Sequence, residues 1–168
     1  MAVVSSASAG LKAAPRASII QLRAPRLRVA DLEREAIQLV AGAAIPILVS
    51  ARCDVALAAG AAGVNLPEDD LPVAGARALV GRRIVGRSVH SLAAAQQAEH
   101  EGADFVIFGP VWESDSHPGK APAGLAALEQ VARAVHIPVL AIGGVTEERI
   151  ADCRAAGAAG YAAIGMFR

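Results

Sequence analysis

The chain has 168 residues, 54% of them hydrophobic but only 3% aromatic, and its sixteen basic residues balance sixteen acidic ones. That is one domain, residues 1–168, with a core of Ala, Val, Leu and Ile, and without the basic surplus that a nucleic-acid or anionic-membrane partner needs. No run of about 18 apolar residues offers a membrane span and no basic segment leads into a secretory apolar block, so a cytoplasmic protein is expected.

Ala2-Val3-Val4-Ser5 reads as a first strand and Ser8 to Ala14 as a stub of helix before Pro15. Ser18 to Arg23 is the second strand, ended by Ala24-Pro25. Asp31 is expected to cap a helix whose apolar positions Leu32, Ala36, Leu39 and Val40 share one face. Pro46 to Val49 is the third strand, Val55 to Ala59 a short helix, Gly63 to Leu66 the fourth strand and Pro72 to Leu79 the next helix. Arg83 to Ser88 is the fifth strand, and Ser91 caps a helix that Gly102 ends. Phe105-Val106-Ile107-Phe108 is an apolar run that reads as a strand buried on both faces. Leu125, Leu128, Val131, Ala132 and Val135 mark an amphipathic helix. Val139 to Ile142 is the seventh strand, Thr146 is expected to cap a helix with Glu147 and Glu148 in its first turn, and Tyr161 to Ile164 is the eighth strand.

Three stretches share one grammar of helix end, Gly stop, small-residue turn and inward strand: Gly60 to Val64, Gly102 to Val106 and Gly157 to Tyr161. Eight strands alternating with helices predict a parallel α/β sheet with right-handed crossovers. Closure into a (β/α)8 TIM barrel is expected over an open doubly wound sheet, because no G-x-G-x-x-G comes after an early strand. Such barrels usually take about 200 residues or more. This one is therefore expected to be trimmed, its last helix missing or very short, with the bare seam covered by a partner subunit in a homodimer. Cys53 and Cys153 are expected to be free thiols.

The active face of a barrel is made from the residues just beyond the end of each strand. The sixth strand opens into Gly109-Pro110-Val111-Trp112-Glu113-Ser114-Asp115-Ser116-His117-Pro118-Gly119-Lys120, far longer than the about 2–6 residues usual for such a loop. Gly143-Gly144 after the seventh strand and Ile164-Gly165 after the eighth read as a phosphate cradle. Gln21 and Arg23 alternate with Leu22 and offer a fork for a phosphate or carboxylate. Asp70 is a candidate Mg²⁺ ligand, although a lone carboxylate is a poor site. His117 and His90 are the candidate proton carriers, whereas His100 and His136 lie on helix ends.

Gly86-Arg87-Ser88-Val89-His90-Ser91, the run from Gly102 to Val111, and Ala141-Ile142-Gly143-Gly144-Val145-Thr146 together resemble the thiamine phosphate synthase/TenI superfamily. The resemblance covers nearly the whole chain, most strongly from Gly63 onward. It implies a (β/α)8 barrel that binds thiazole phosphate. In the synthase branch, which joins a pyrimidine methyl diphosphate to thiazole phosphate with Mg²⁺, Gln21, Arg23, Ser88 and the magnesium position Asp70 match. Pro25 stands where that branch has Lys, Ser50 and Ala51 where it has Asn-Asp, and Ser114, Ser116 and His117 where it has Thr-x-Thr-Lys. The TenI-like branch is the closer resemblance. It implies a thiazole tautomerase, an isomerase that moves a proton on thiazole carboxylate phosphate and requires no cofactor. The catalytic His of some members falls at Pro110, so His117 or His90 is expected to substitute. The expectation is thus a tautomerase; the alternatives are a synthase with Mg²⁺, a transferase, and a non-catalytic binding protein.

Overall fold

The computed structural model describes residues 1–113 and 121–167 and is built from eight strands and, among the described residues, seven α-helices. In chain order these are β1 (Ala2–Val4), α1 (Ala7–Ala13), β2 (Ile20–Leu22), α2 (Val29–Gly42), β3 (Ile47–Ser50), α3 (Cys53–Ala58), β4 (Gly63–Leu66) and α4 (Val73–Val80). Next come β5 (Ile84–Val89), α5 (Leu92–His100), β6 (Phe105–Phe108), α6 (Gly124–Ala134), β7 (Val139–Ala141), α7 (Ile150–Ala155) and β8 (Gly160–Tyr161). Every strand pairs in parallel with the next. The sheet closes on itself: Val3 N–H donates to the Ala163 carbonyl at 2.9 Å and Ala163 N–H to the Met1 carbonyl at 3.2 Å. Closure leaves no free sheet edge, so the open sheet is ruled out.

Strand alternation sorts the core into two shells. Ile20 and Leu22, Ile47 and Val49, and Val106 and Phe108 face the helices. The intervening Leu48, Phe105 and Ile107 join Val3 and Ala162 inside the barrel. The low aromatic content is used there with economy. Phe105 lies across Gly86 on the neighbouring strand, where a Cβ would stand 2.1 Å from the Phe105 Cζ. The helices bury one stripe each: Leu32, Ala36 and Leu39 on α2, and Leu128 and Val131 on α6. Cys53 and Cys153 are buried free thiols, and burial pushes both up from the ordinary thiol value.

Helix starts obey the expected chemistry at two places. Ser6 accepts from Ala9 N–H at 3.2 Å and Ser91 from Ala94 N–H at 3.1 Å. Two other expected caps are corrected. Asp31 lies inside the first turn of α2, where it accepts from Arg28 Nε at 2.9 Å and pairs with Arg34. A carboxylate is favourable there for the helix dipole without being the cap. Thr146 caps no helix either: α7 begins only at Ile150, and the Thr146 carbonyl accepts from Arg149 N–H at 3.1 Å across a turn. Gly143 (φ 92°) and Gly144 (φ 64°) both take positive φ, and a turn follows them before α7 begins. After β8 the described chain makes only a short 3-10 turn, Gly165–Phe167, with Phe167 stacked on Tyr161 at 6.5 Å.

Candidate active site

The C-terminal ends of the strands surround one cavity of about 510 Å³. Gln21 from β2, Asn65 from β4 and Ser88 from β5 line it, as do the apolar Val3, Ile107, Ile142 and Ala162. Gln21 (3% exposed) and Asn65 (1%) are the two buried polar side chains of the described molecule, which places them at its floor. Arg23, Glu68, Glu113 and Arg149 bring charge to its walls, and His90 lines it as well. Gly143, Gly144, Ile164 and Gly165 line the same space, so both glycine loops and the strand-two fork meet there. Ser114, Ser116 and His117 lie outside the described residues.

The loop after β7 is held from both sides. Val111 N–H donates to the Ile142 carbonyl at 2.8 Å and Trp112 N–H to the Gly143 carbonyl at 3.1 Å. The N–H groups of Gly143, Gly144 and Val145 donate to no described group, so they remain available for an anion. Arg149 crosses this loop. Its Nη1 donates to the Gly144 carbonyl at 2.6 Å, and its guanidinium lies 4.9 Å from the Trp112 ring centroid. Arg23 forms no salt bridge with a described carboxylate. Two guanidiniums and three backbone donors without a described partner suit a phosphate or diphosphate.

At the floor, Asn65 Nδ2 donates to Ser88 Oγ at 3.0 Å. His90 stands beyond it with Nδ1 against the Gly109 carbonyl and Nε2 3.7 Å from Glu68 Oε2. Arg87 does not line the cavity and grips the loop after β4: its guanidinium donates to the carbonyls of Glu68, Asp70 and Leu71. Beside Ser50, Arg52 Nε donates to Asp54 Oδ1 at 2.8 Å, and this bond holds the Asp54 carboxyl at about 2. A folded value below the unfolded one means the pair's stabilisation is present above the unfolded value and is lost as pH falls through about 2. A carbon-detected NMR titration is expected to find the Asp54 midpoint near 2, returning toward the ordinary value in Arg52→Ala.

Glu68 and Glu113 are the carboxylate side chains among the described residues that line the cavity. Among the described residues no group of three His, Cys, Asp or Glu side chains is gathered to hold a cation. Asp70 does not line the cavity; its Oδ1 accepts from Leu71 N–H at 2.6 Å, the ordinary task of an Asp in a turn. Ala51, adjacent to Ser50, offers no side-chain donor.

Arg149 is the residue that sequence reasoning missed. The helix expected to start at Thr146 would have placed it in an exposed first turn. The spacing from Thr146 to Ile150, containing two acids and an Arg behind a Gly-Gly pair, is the signal that a turn precedes the helix.

A family model described as thiamine monophosphate synthase matches residues 2–167. A thiamine-phosphate synthase from Methanoculleus marisnigri is 45% identical over 161 residues, 93% of this chain and 76% of that one. A relative in Aquifex aeolicus is 46% identical over 121 residues, and the match takes in 65% of its length. Among solved structures, a thiamine phosphate pyrophosphorylase from Pyrococcus furiosus superposes with a TM-score of 0.88 at 29% identity, covering 98% of this chain and 84% of that one. These matches overturn the tautomerase expectation: relatives that cover most of the chain carry the synthase name, and none of them is named a tautomerase or isomerase. The structure gives the expectation no support from His90, whose two ring nitrogens both face protein oxygens.

Proposed function

The chain belongs to the thiamine monophosphate synthase family, and from that premise we propose that it joins a pyrimidine methyl diphosphate to a thiazole phosphate, releasing diphosphate. In this reaction the thiazole ring nitrogen gives its lone pair to the pyrimidine methylene carbon. The bond from that carbon to the diphosphate oxygen breaks, and its electron pair leaves with the diphosphate. The ring nitrogen becomes a thiazolium cation. No proton moves at the reacting atoms, so the site needs no general base; it needs to bind two anions and to stabilise the charge that departs with one of them.

The observation that carries the proposal is the convergence of Arg23, Arg149 and the N–H groups of Gly143 to Val145, which have no described partner, on one cavity that Gln21, Asn65 and Ser88 also line together with the apolar Val3, Ile107, Ile142 and Ala162. The glycine loops suit the thiazole phosphate, with Arg149 adding charge beside them. Arg23, Gln21 and Ser88 suit the diphosphate and the ring that bears it. The apolar side chains of Val3, Ile107, Ile142 and Ala162 help keep water from a methylene carbon that would otherwise be hydrolysed. This chain lacks the lysines and the second magnesium carboxylate that the synthase resemblance implies, so Arg23 and Arg149 carry more of the charge.

The test is to mix the pyrimidine methyl diphosphate and thiazole phosphate with the protein, with and without added Mg²⁺. Diphosphate and thiamine phosphate are expected to appear in equal amounts, with no diphosphate released when the thiazole is omitted. Release that does not depend on the thiazole, or none under either condition, would overturn the proposal.

A further inference from the structure

We infer that Asn65 is a positioning residue: it fixes the Ser88 hydroxyl as a hydrogen-bond donor to an anionic oxygen of the ligand. The inference rests on the diphosphate-releasing reading above for the identity of that oxygen. Asn65 is buried within β4 and lines the cavity floor. Its Nδ2 donates to Ser88 Oγ at 3.0 Å, while its Oδ1 is the one buried side-chain polar atom among the described residues that has no partner. A native core seldom leaves an acceptor stranded without a reason. The reverse amide orientation would strand an NH₂ group instead, and an orphaned donor is rarer than an under-used oxygen.

The consequence falls on Ser88. A hydroxyl has one proton to donate and lone pairs to accept with. Since Asn65 supplies a donor, it occupies a lone pair of Oγ and cannot take the proton. The O–H of Ser88 has no described acceptor, and Ser88 lines the cavity, so the proton is available only to what binds there. The glycine at 86 makes this possible. Gly86 pairs with Asn65 across the β4–β5 ladder, and a Cβ there would stand 2.7 Å from Asn65 Oδ1. A side chain there would crowd both the Phe105 ring, 2.1 Å from the new Cβ, and the Asn65 amide.

Pyrophosphate titration by calorimetry on four proteins tests this: wild type, Asn65→Asp, Ser88→Ala and the double variant. Asp is the same size as Asn, but its carboxylate accepts the Ser88 proton and turns it from the ligand. Each single variant is expected to weaken pyrophosphate binding by about 10-fold or more, the usual effect of one bond to a charged group. The double variant is expected to fall within about twofold of the weaker single one, because both remove the same bond. In turnover, KM for thiazole phosphate is expected to hold while kcat/KM for the diphosphate substrate falls; a purely structural role would disturb both. Circular dichroism checks folding, and Asn65→Ala replaces Asn65→Asp in the cycle should the buried carboxylate prevent it. Losses that multiply in the double variant, an Asn65→Asp protein that binds like wild type, or a wild type that ignores pyrophosphate would each overturn the inference. A wild type that binds pyrophosphate but forms no thiamine phosphate overturns the synthase reading alone, and the binding cycle still decides the role of Asn65.

Discussion

Replacing Gly144 by Ala is expected to lower kcat/KM for diphosphate release by about 100-fold or more, in the range seen when one preorganised anion-stabilising donor is lost. Gly144 has φ 64°, a left-handed conformation that costs an L-residue about 1–2 kcal/mol. It is also walled in: a Cβ would stand 2.5 Å from the Glu113 carbonyl oxygen, 2.7 Å from Trp112 Cβ and 3.3 Å from Arg149 Nη1. Two of those neighbours belong to the backbone or to the root of a side chain, so the loop itself has to move. It would take with it the Gly144 carbonyl that anchors Arg149 at 2.6 Å and the stacking of Arg149 on Trp112. The cation and the free N–H groups would leave their places together. Gly81→Ala is the control. Its φ of 61° is also positive, so Ala is strained there too, but nothing lies within 4 Å of the new Cβ, and Gly81 does not line the cavity. Equal activity in the two variants would mean that the Gly143–Gly144 loop does not hold the anion.

The contrast between those glycines shows what a sequence can and cannot convey. A Gly-Gly pair after an apolar strand is legible as a turn because only glycine takes positive φ cheaply. That the second glycine is packed against Trp112 and Glu113, which belong to the loop of a different strand, is a fact of tertiary contact. The strands are legible for a related reason: runs such as Phe105 to Phe108 are too short and too apolar to be surface helices, and eight of them between helical stripes leave few topologies. The ends of helices are less so. Asp31 and Thr146 both carry capping side chains, yet Asp31 serves better inside the first turn, where Arg28 and Arg34 reach it. The error at Thr146 hides Arg149, because a residue in an exposed helical turn gives no reason to look at the cavity.

The activity is misread from sequence on a different ground. Histidines near a barrel mouth invite a role as proton carriers because imidazole titrates near neutrality. Nothing in sequence reveals that His90 sits between the Gly109 carbonyl and Glu68. The polar residues that do reach the floor, Gln21, Asn65 and Ser88, carry no proton at neutral pH that a tautomerase could use. They are suited to holding a ligand still, which is what a substitution between two bound anions requires.

Gly63→Ala is expected to destabilise the barrel by about 3 kcal/mol or more, beyond the usual range for an added methyl group in a packed core. At Gly63 the obstacle is backbone. A Cβ would stand 1.9 Å from the Ile84 carbonyl oxygen, 2.7 Å from its carbon and 2.8 Å from Ile84 Cα. No rotamer change relieves this; β4 and β5 have to separate where Ile84 N–H now donates to the Ala62 carbonyl at 2.9 Å. For a domain of this length, about 3 kcal/mol lowers Tm by roughly 6–12 °C in a calorimetric scan. The damage extends to function. The same ladder sets Asn65 opposite Gly86 and Leu66 opposite Arg87. Spreading its first rung lengthens the 3.0 Å bond from Asn65 to Ser88, so diphosphate release should fall even at temperatures where the variant stays folded. Gly160→Ala provides the comparison, because its Cβ would meet only Leu140 Cδ2, the far end of a flexible side chain, at 3.2 Å. It is expected to shift Tm far less. If the two variants melted together, the close approach of β4 to β5 would not be what fixes glycine at position 63, and the link from ladder to cavity floor would fail with it.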